Sequence, residues 1–201
     1  MIVRPPVSSR LITTLLPRQT TPFPKCAAKI LQTRAFVLPT PKQRFTATRH
    51  LRYPPSKLFT LISDINSYSS FVPFCLSSTV TSTSPPPDSF PITADLRVGW
   101  GVYDETFTSR VKCERYTGGT GGMVEADATE NGIFEVLKAT WVINDKDEKG
   151  KGGESSKVDL EIEYKFANPL YAVMSEAVMP AVAGKIIEAF EGRVEEVLGK
   201  R

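Results

Sequence analysis

The sequence predicts an α+β fold: a curved antiparallel sheet wrapped around a long C-terminal helix, with two short helices after the first strand. Three observations predict it. Most of the body alternates apolar and polar residues with period two, as a sheet with one buried and one wet face does. Two short stretches of helical spacing, each bounded by proline, follow the first alternating run. A single long helical pattern closes the chain, beginning at Asn168-Pro169, a good N-cap and first-turn pair.

In order, Phe45 to Tyr53 alternates Phe45, Ala47, Arg49, Leu51 and Tyr53 against Thr46, Thr48, His50 and Arg52, and reads as the first strand. Pro54-Pro55 ends it. Ser56 to Ile62 carries Leu58, Phe59, Leu61 and Ile62 at helical spacing, and Asp64 is placed to cap a second short helix, Ile65 to Phe71, stopped by Pro73. Strands follow at Leu76–Thr83, Ile92–Val98, Phe107–Cys113, Met123–Ala128 and Phe134–Asn144, with turns at Pro85–Asp88 and Gly118–Gly122. The polar run Asp145–Lys157, with four lysines, reads as an exposed hairpin insertion. Val158, Leu160, Ile162, Tyr164 and Phe166 alternate with Asp159, Glu161, Glu163 and Lys165 in the last strand.

The final helix has two unlike halves. Leu170–Gly184 is apolar nearly all round and carries one charge, Glu176. Lys185–Arg201 is amphipathic, with Ile186, Ile187, Phe190, Val194, Val197 and Leu198 on one side. Pro180 is expected to kink it and Gly184 to loosen the same region. A helix about 50 Å long and about 10 Å wide cannot fill the concavity of a six- or seven-stranded sheet, so a hollow is expected beneath it.

The 201 residues are 41% hydrophobic and 23% charged, the balance of a globular domain with something added. The net charge of +3 conceals an asymmetry: residues 1–52 hold ten Lys/Arg and no acid, whereas residues 53–201 carry a net −7. Seven of the 16 prolines also fall within residues 1–43, among Arg, Ser and Thr. An Arg-rich, acid-poor leader without a secretory apolar core is the pattern of a mitochondrial presequence, drawn inward by a matrix-negative potential. Residues 1–43 are therefore expected to be presequence and disordered linker, with processing after Arg34-Ala35-Phe36, and residues 44–201 the folded domain. The acidic body speaks against nucleic-acid binding. Cys26, Cys75 and Cys113 have no CxxC spacing and suit a thiol-reducing compartment, and one histidine, His50, makes a metal site unexpected. No stretch reaches the length of a membrane-spanning helix.

Catalytic signals are sparse. GxSxG, HExxH and GxxxxGK[ST] are absent, and Gly118–Gly122 lacks the Lys-Ser/Thr of a phosphate loop. Asp127, Glu130 and Glu135 read as a solvated acidic surface, Cys75 and Cys113 as inert fillers, and His50 as solvent-facing. Arg49 is the one candidate for a polar group inside a cavity. An apolar cargo suits the composition better: each isoprene unit withdrawn from water removes about 100 Å² of apolar surface, worth about 2.5 kcal/mol.

Several segments carry a family likeness. Tyr53, Ser56–Asp64 running into Ile65-Asn66-Ser67-Tyr68, Phe71–Val80, Leu96–Trp100, Glu105–Val111, Trp141 and Tyr164–Leu170 resemble the mitochondrial coenzyme Q-binding proteins of the START-like, polyketide cyclase/dehydrase-related helix-grip superfamily. The likeness spans roughly residues 44–198. Phe74 stands where that family usually has Trp, and Thr79 where it has Arg. The resemblance implies a helix-grip fold and a non-enzymatic protein. It would bind coenzyme Q (ubiquinone and related prenyl quinones) as ligand rather than catalytic cofactor, supporting respiratory electron transport and ubiquinone biosynthesis as a lipid chaperone or carrier. It also implies peripheral contact with the mitochondrial inner membrane on the matrix side, and with quinone-synthesis enzymes. The cavity lining is expected from Phe71, Phe74, Trp100, Phe107, Trp141, Met174, Val178 and Val182. For Phe71, Phe74, Trp100, Trp141, Met174, Val178 and Val182 plain core packing is the competing role. The alternatives are a cyclase/dehydrase acting on a polyketide-like substrate through Arg49, and a ribosome-associated protein, since the superfamily includes a bacterial ribosome-association toxin.

Overall fold

In the computed structural model the described residues are 41–100, 103–119, 121–128, 132–146, 154–168 and 179–200. Seven strands form one antiparallel sheet: β1 (Gln43–Leu51), β2 (Cys75–Thr83), β3 (Pro91–Trp100), β4 (Tyr103–Arg115), β5 (Gly121–Asp127), β6 (Phe134–Asp145) and β7 (Ser156–Phe166). Their spatial order is β1-β7-β6-β5-β4-β3-β2. β2 to β7 form a meander, and β1 closes the far edge by pairing with β7, Phe45 opposite Ile162 and Arg49 opposite Val158. Irregular register between β2 and β3, and at Phe134/Val136 in β6, adds bends of the kind that curve a sheet.

Helix α1 (Pro55–Ser63) and a 3-10 turn (Ile65–Ser70) cross between the sheet edges, and α2 (Met179–Leu198) lies against the same face. Proline at the first turn of α1 starts it without loss, since that N–H has no partner in any helix. Asp64 departs from expectation: its side chain makes no cap. Its carbonyl instead accepts from the Ser67 amide at 3.2 Å and the Ser67 hydroxyl at 2.8 Å. The turn then covers edge strand β2. Ser78 donates to the Ile65 carbonyl at 2.5 Å, and Asn66 Oδ1 accepts from the Val80 amide at 2.7 Å, blunting an otherwise open edge.

The inward face carries the core. Leu58 and Phe59 from α1 are fully buried among Val124, Trp141, Ile143, Val158 and Leu160 of the sheet, and Ala183, Ile187, Phe190 and Val194 form the buried stripe of α2. Val197, expected on that stripe, is instead 52% exposed. The outward face is a ladder of ion pairs, including Lys42 and Arg44 on Glu163 and Lys138 on Glu125. His50 is exposed on it, as expected. Tyr53 leaves β1 rather than ending it: it is buried and gives its hydroxyl to the Gly199 carbonyl at 2.7 Å, while the Ser156 hydroxyl donates to the Tyr53 carbonyl at 2.6 Å.

The glycine run also differs from expectation. Gly118 makes the turn at φ 79°, but Gly121 and Gly122 open β5. A Cβ on Gly122 would sit 2.5 Å from Phe59 Cδ2 and 2.6 Å from the Glu114 carbonyl oxygen, so the glycine is what lets α1 press on the sheet.

Candidate ligand vault

The space between sheet and α2 divides into two unlike ends. At one end the side chains close on each other. Trp141 packs against Phe190 with the rings tilted at 53° and centroids 4.6 Å apart, and Phe190 takes Tyr68 and Phe71 edge-on at 5.2 and 4.9 Å. Here the space left between α2 and the sheet is about 20 Å³, lined by residues including Leu51, Ile62, Trp141, Ile187 and Val194. That is room for one water. The hollow expected beneath the helix is therefore filled at this end, because large side chains from β1, α1, the 3-10 turn, β6 and α2 converge there.

The other end is floored by small residues. Reading the register across the sheet, Ile162 faces Ala139, Ala139 faces Ala126, and Ala126 faces Val111. One row further on, Ser109 faces Ala94. Ala94, Ser109 and Ala128 are buried, while Ala126 and Ala139 are half-buried. Larger apolar groups flank this floor: Phe107 opposite Leu96 on β4 and β3, with Val98 beyond, all half-buried. From α2, Val182 and Ile186 flank the buried stripe and are also half-buried. This stretch of the inward face carries small side chains, and Ile65 of the 3-10 turn packs over Ala94 and Val111 there, with Leu96 against them.

The expected lining residues fall into three groups. Phe71 and Trp141 belong to the packed end, Phe71 half-buried against Tyr68 and Phe190, and Trp141 6% exposed. Phe107 borders the small-floored end opposite Leu96, and neither it nor Val182 is among the side chains packed into the core clusters. Phe74 stands at the junction of the 3-10 turn and β2 with φ 66°, a left-handed backbone that bulky residues rarely adopt, and its carbonyl accepts from the Gly99 amide at 2.9 Å. Met174, Val178 and the Trp100 side chain lie outside the described residues, as do the leader and Glu130, and the kink expected at Pro180 falls at their boundary. Sequence reasoning missed Leu96, Ala126 and Ala139. The available signal was small side chains at inward positions of alternating strands.

Polar chemistry at the vault is limited. Arg49 does point to the helix side, but its guanidinium pairs with Glu191 of α2 at 2.9 Å, a seam between sheet and helix with both side chains about one-third exposed. Asp127 and Glu135 do not pair with each other: Asp127 meets Arg110 and Glu135 meets Lys165. Burial pushes the Cys113 thiol up to about 11 and raises that of Cys75, so both stay protonated at neutral pH. Burial raises the Tyr68 phenol as well, and its proton is given to the Ile62 carbonyl. Among the described residues no group of three metal-ligating side chains occurs, and no helix is long and apolar enough to cross a membrane.

Comparison with known proteins places this geometry. Residues 51–191 match the family described as polyketide cyclase / dehydrase and lipid transport. A Schizosaccharomyces pombe protein named "Coenzyme Q-binding protein coq10, mitochondrial" is 40% identical over 146 residues, covering 73% of this chain and 83% of that protein. The "Ribosome association toxin RatA" of Pseudomonas aeruginosa is 28% identical over 149 residues, covering 74% of this chain and 93% of its own. Among solved structures, a START superfamily protein from Mycobacterium smegmatis superposes with a TM-score of 0.62 at 15% identity, covering 77% of this chain and 98% of that one, a likeness of fold.

Proposed function

We propose, from the premise that this chain belongs to the polyketide cyclase/dehydrase and lipid transport family and within it to the coenzyme Q-binding proteins, that it binds coenzyme Q in the vault between sheet and α2. It acts there as a carrier or chaperone of the quinone rather than as a catalyst. The observation that carries this reading is the 40% identity to a protein of that name over most of both chains. The apolar walls at Leu96 and Phe107 beside the alanine floor support it, because a prenyl chain needs no polar contact to be held. At about 2.5 kcal/mol per isoprene unit sequestered, a few units suffice.

The carrier reading also rests on what the polar groups do. Arg49 is engaged by Glu191, the two thiols are protonated, and the hydroxyl–carboxylate pairs Thr48–Asp159 and Thr108–Asp95 are exposed, away from the vault. We place the protein in mitochondria, peripheral on the matrix side of the inner membrane, where it supports respiratory electron transfer and quinone synthesis. The basic, acid-free residues 1–43 support import as a presequence. A ribosome-associated protein is the second reading, favoured by the Pseudomonas relative. The acidic body speaks against it.

Full-length protein expressed in yeast and isolated from its mitochondria tests both. Organic extraction followed by mass spectrometry is expected to release coenzyme Q in near-stoichiometric amount. Quinone-free protein carrying ribosomal RNA would replace the first reading by the second.

A further inference from the structure

A second concavity lies outside the vault, on the solvent side of α1. It is a groove of about 540 Å³ between α1 and the last turns of α2. Three cations line it: Lys57, Arg115 and Arg193. Two of them are held in place by aromatic faces. The Arg115 guanidinium lies 5.1 Å from the Phe59 ring and 5.2 Å from the Phe90 ring, and that of Arg193 lies 5.6 Å from Phe71.

The outward face of the sheet pairs its charges, but this groove does not. Among the described residues neither Lys57 nor Arg115 has a carboxylate partner, and Arg193 has one, Glu196, on its own helix at 2.8 Å. Asp64 is the acidic residue in the lining. Local charge is thus positive on a body whose net charge is −7. With Asp64 in the lining and Glu196 beside Arg193, the three cations leave a local balance of +1, and at a Debye length of about 8 to 10 Å acids farther off are screened from a surface touching the groove.

One edge of the groove is apolar. Val197, 52% exposed, stands with half-buried Leu198 at the opening, above the buried Leu61. A small hydrophilic anion has no use for that edge, whereas an anionic lipid offers a phosphate to the cations and acyl carbons to the valine.

We propose that this groove is the surface by which the protein sits on a bilayer, taking the phosphate headgroup of an anionic phospholipid between Lys57, Arg115 and Arg193 with Val197 at the acyl boundary. The proposal does not depend on the cargo, because none of these residues lines the vault.

Vesicle flotation of the full-length chain tests it. The protein is expected to float with vesicles of phosphatidylcholine mixed with phosphatidylglycerol and to remain behind with phosphatidylcholine alone. The basic leader contributes equally to every variant, so the comparison is among variants. Lys57→Gln and Arg193→Gln are each expected to weaken binding about fivefold, the effect of one basic residue near an anionic surface. Lys57 is exposed, so its loss does not threaten the fold. Arg115→Lys keeps the charge but loses the aromatic clamp, and is expected to bind less than wild type and more than Arg115→Gln, with unchanged circular dichroism as the check on folding. Arg110→Gln removes a charge from the opposite face of β4 and is expected to bind as wild type does.

Equal weakening by Arg110→Gln, or no weakening by any groove variant, would overturn the proposal. So would displacement from vesicles by inorganic phosphate at matched ionic strength, which would assign the groove to a soluble phosphate. Quinone extracted from the same preparations is read separately: groove variants that keep their quinone and lose the vesicle uphold the proposal, whatever becomes of the cargo assignment.

Discussion

Phe74 illustrates what a single residue can reveal. A left-handed backbone at a bulky side chain costs about 1 to 2 kcal/mol, so its retention at φ 66° requires either surrounding support or a use for the ring. Phe74→Gly removes both the strain and the ring. If the ring serves the ligand, the variant is expected to melt no lower than wild type yet to retain severalfold less quinone; a large fall in Tm with quinone unchanged would make Phe74 a packing residue. Gly122 is the opposite case, a residue whose meaning lies entirely in a neighbour. Alanine there meets a backbone carbonyl that cannot move aside as well as the Phe59 ring. Gly122→Ala is expected to cost about 2 kcal/mol, a drop in Tm of roughly 4 to 8 °C by calorimetry. The sequence offers Gly118–Gly122 as five equivalent turn residues, and nothing local distinguishes the one under Phe59, because the contact joins α1 to β5 across some sixty positions of chain.

At the scale of elements, period-two alternation located β1, β3, β4 and β7, the Ser/Thr/Val content of Leu76–Thr83 located β2, and β7 falls within two residues of the expected Val158–Phe166. Alternation works because each strand has one wet face, a property each residue carries in its own chemistry. Partnership is not written that way. That Arg49 would meet Glu191, and that Tyr53 would leave its strand to bind the Gly199 carbonyl, depend on where α2 comes to rest. The large vault residues were legible as aromatics, but their division between a packed end and an open end was not, since Phe71, Trp141 and Phe107 look alike in sequence and differ only in what faces them. Helix α2 offers a test of its own. Neither Gly184 nor Gly192 is required by packing, as a Cβ at either would meet nothing within 4 Å. Alanine in a helix interior is favoured over glycine by about 1 kcal/mol, so each substitution is expected to raise Tm by roughly 2 to 4 °C. If Gly184 loosens α2 to admit cargo, Gly184→Ala slows quinone exchange between protein and vesicles, while Gly192→Ala, well along the helix and on its exposed side, does not. Equal exchange rates in all three proteins would remove the hinge from the account.

For the whole molecule, the uneven filling of the vault has a consequence that isolated residues do not. The end built on Trp141, Phe190 and Ile187 has no room for a ring, so we propose that a bound quinone rests on the alanine floor beside Phe107. Ligand that binds only the folded state stabilises it by about 2.7 kcal/mol at a hundredfold excess over Kd. Hydrogen exchange resolves where that stabilisation appears. Slowed exchange is expected in β3 and β4 around Leu96 and Phe107, in β5 at Ala126 and in the first turns of α2, with Trp141 and Phe190 near their ligand-free rates. Ala126→Leu raises the floor by three carbons without touching the packed end, and is expected to abolish both the quinone and the protection while the fold survives. Protection centred on Trp141 and Phe190 instead, or quinone retained in full by Ala126→Leu, would mean that the chain opens its packed end to take the ligand and that the alanine floor beside it is not the site.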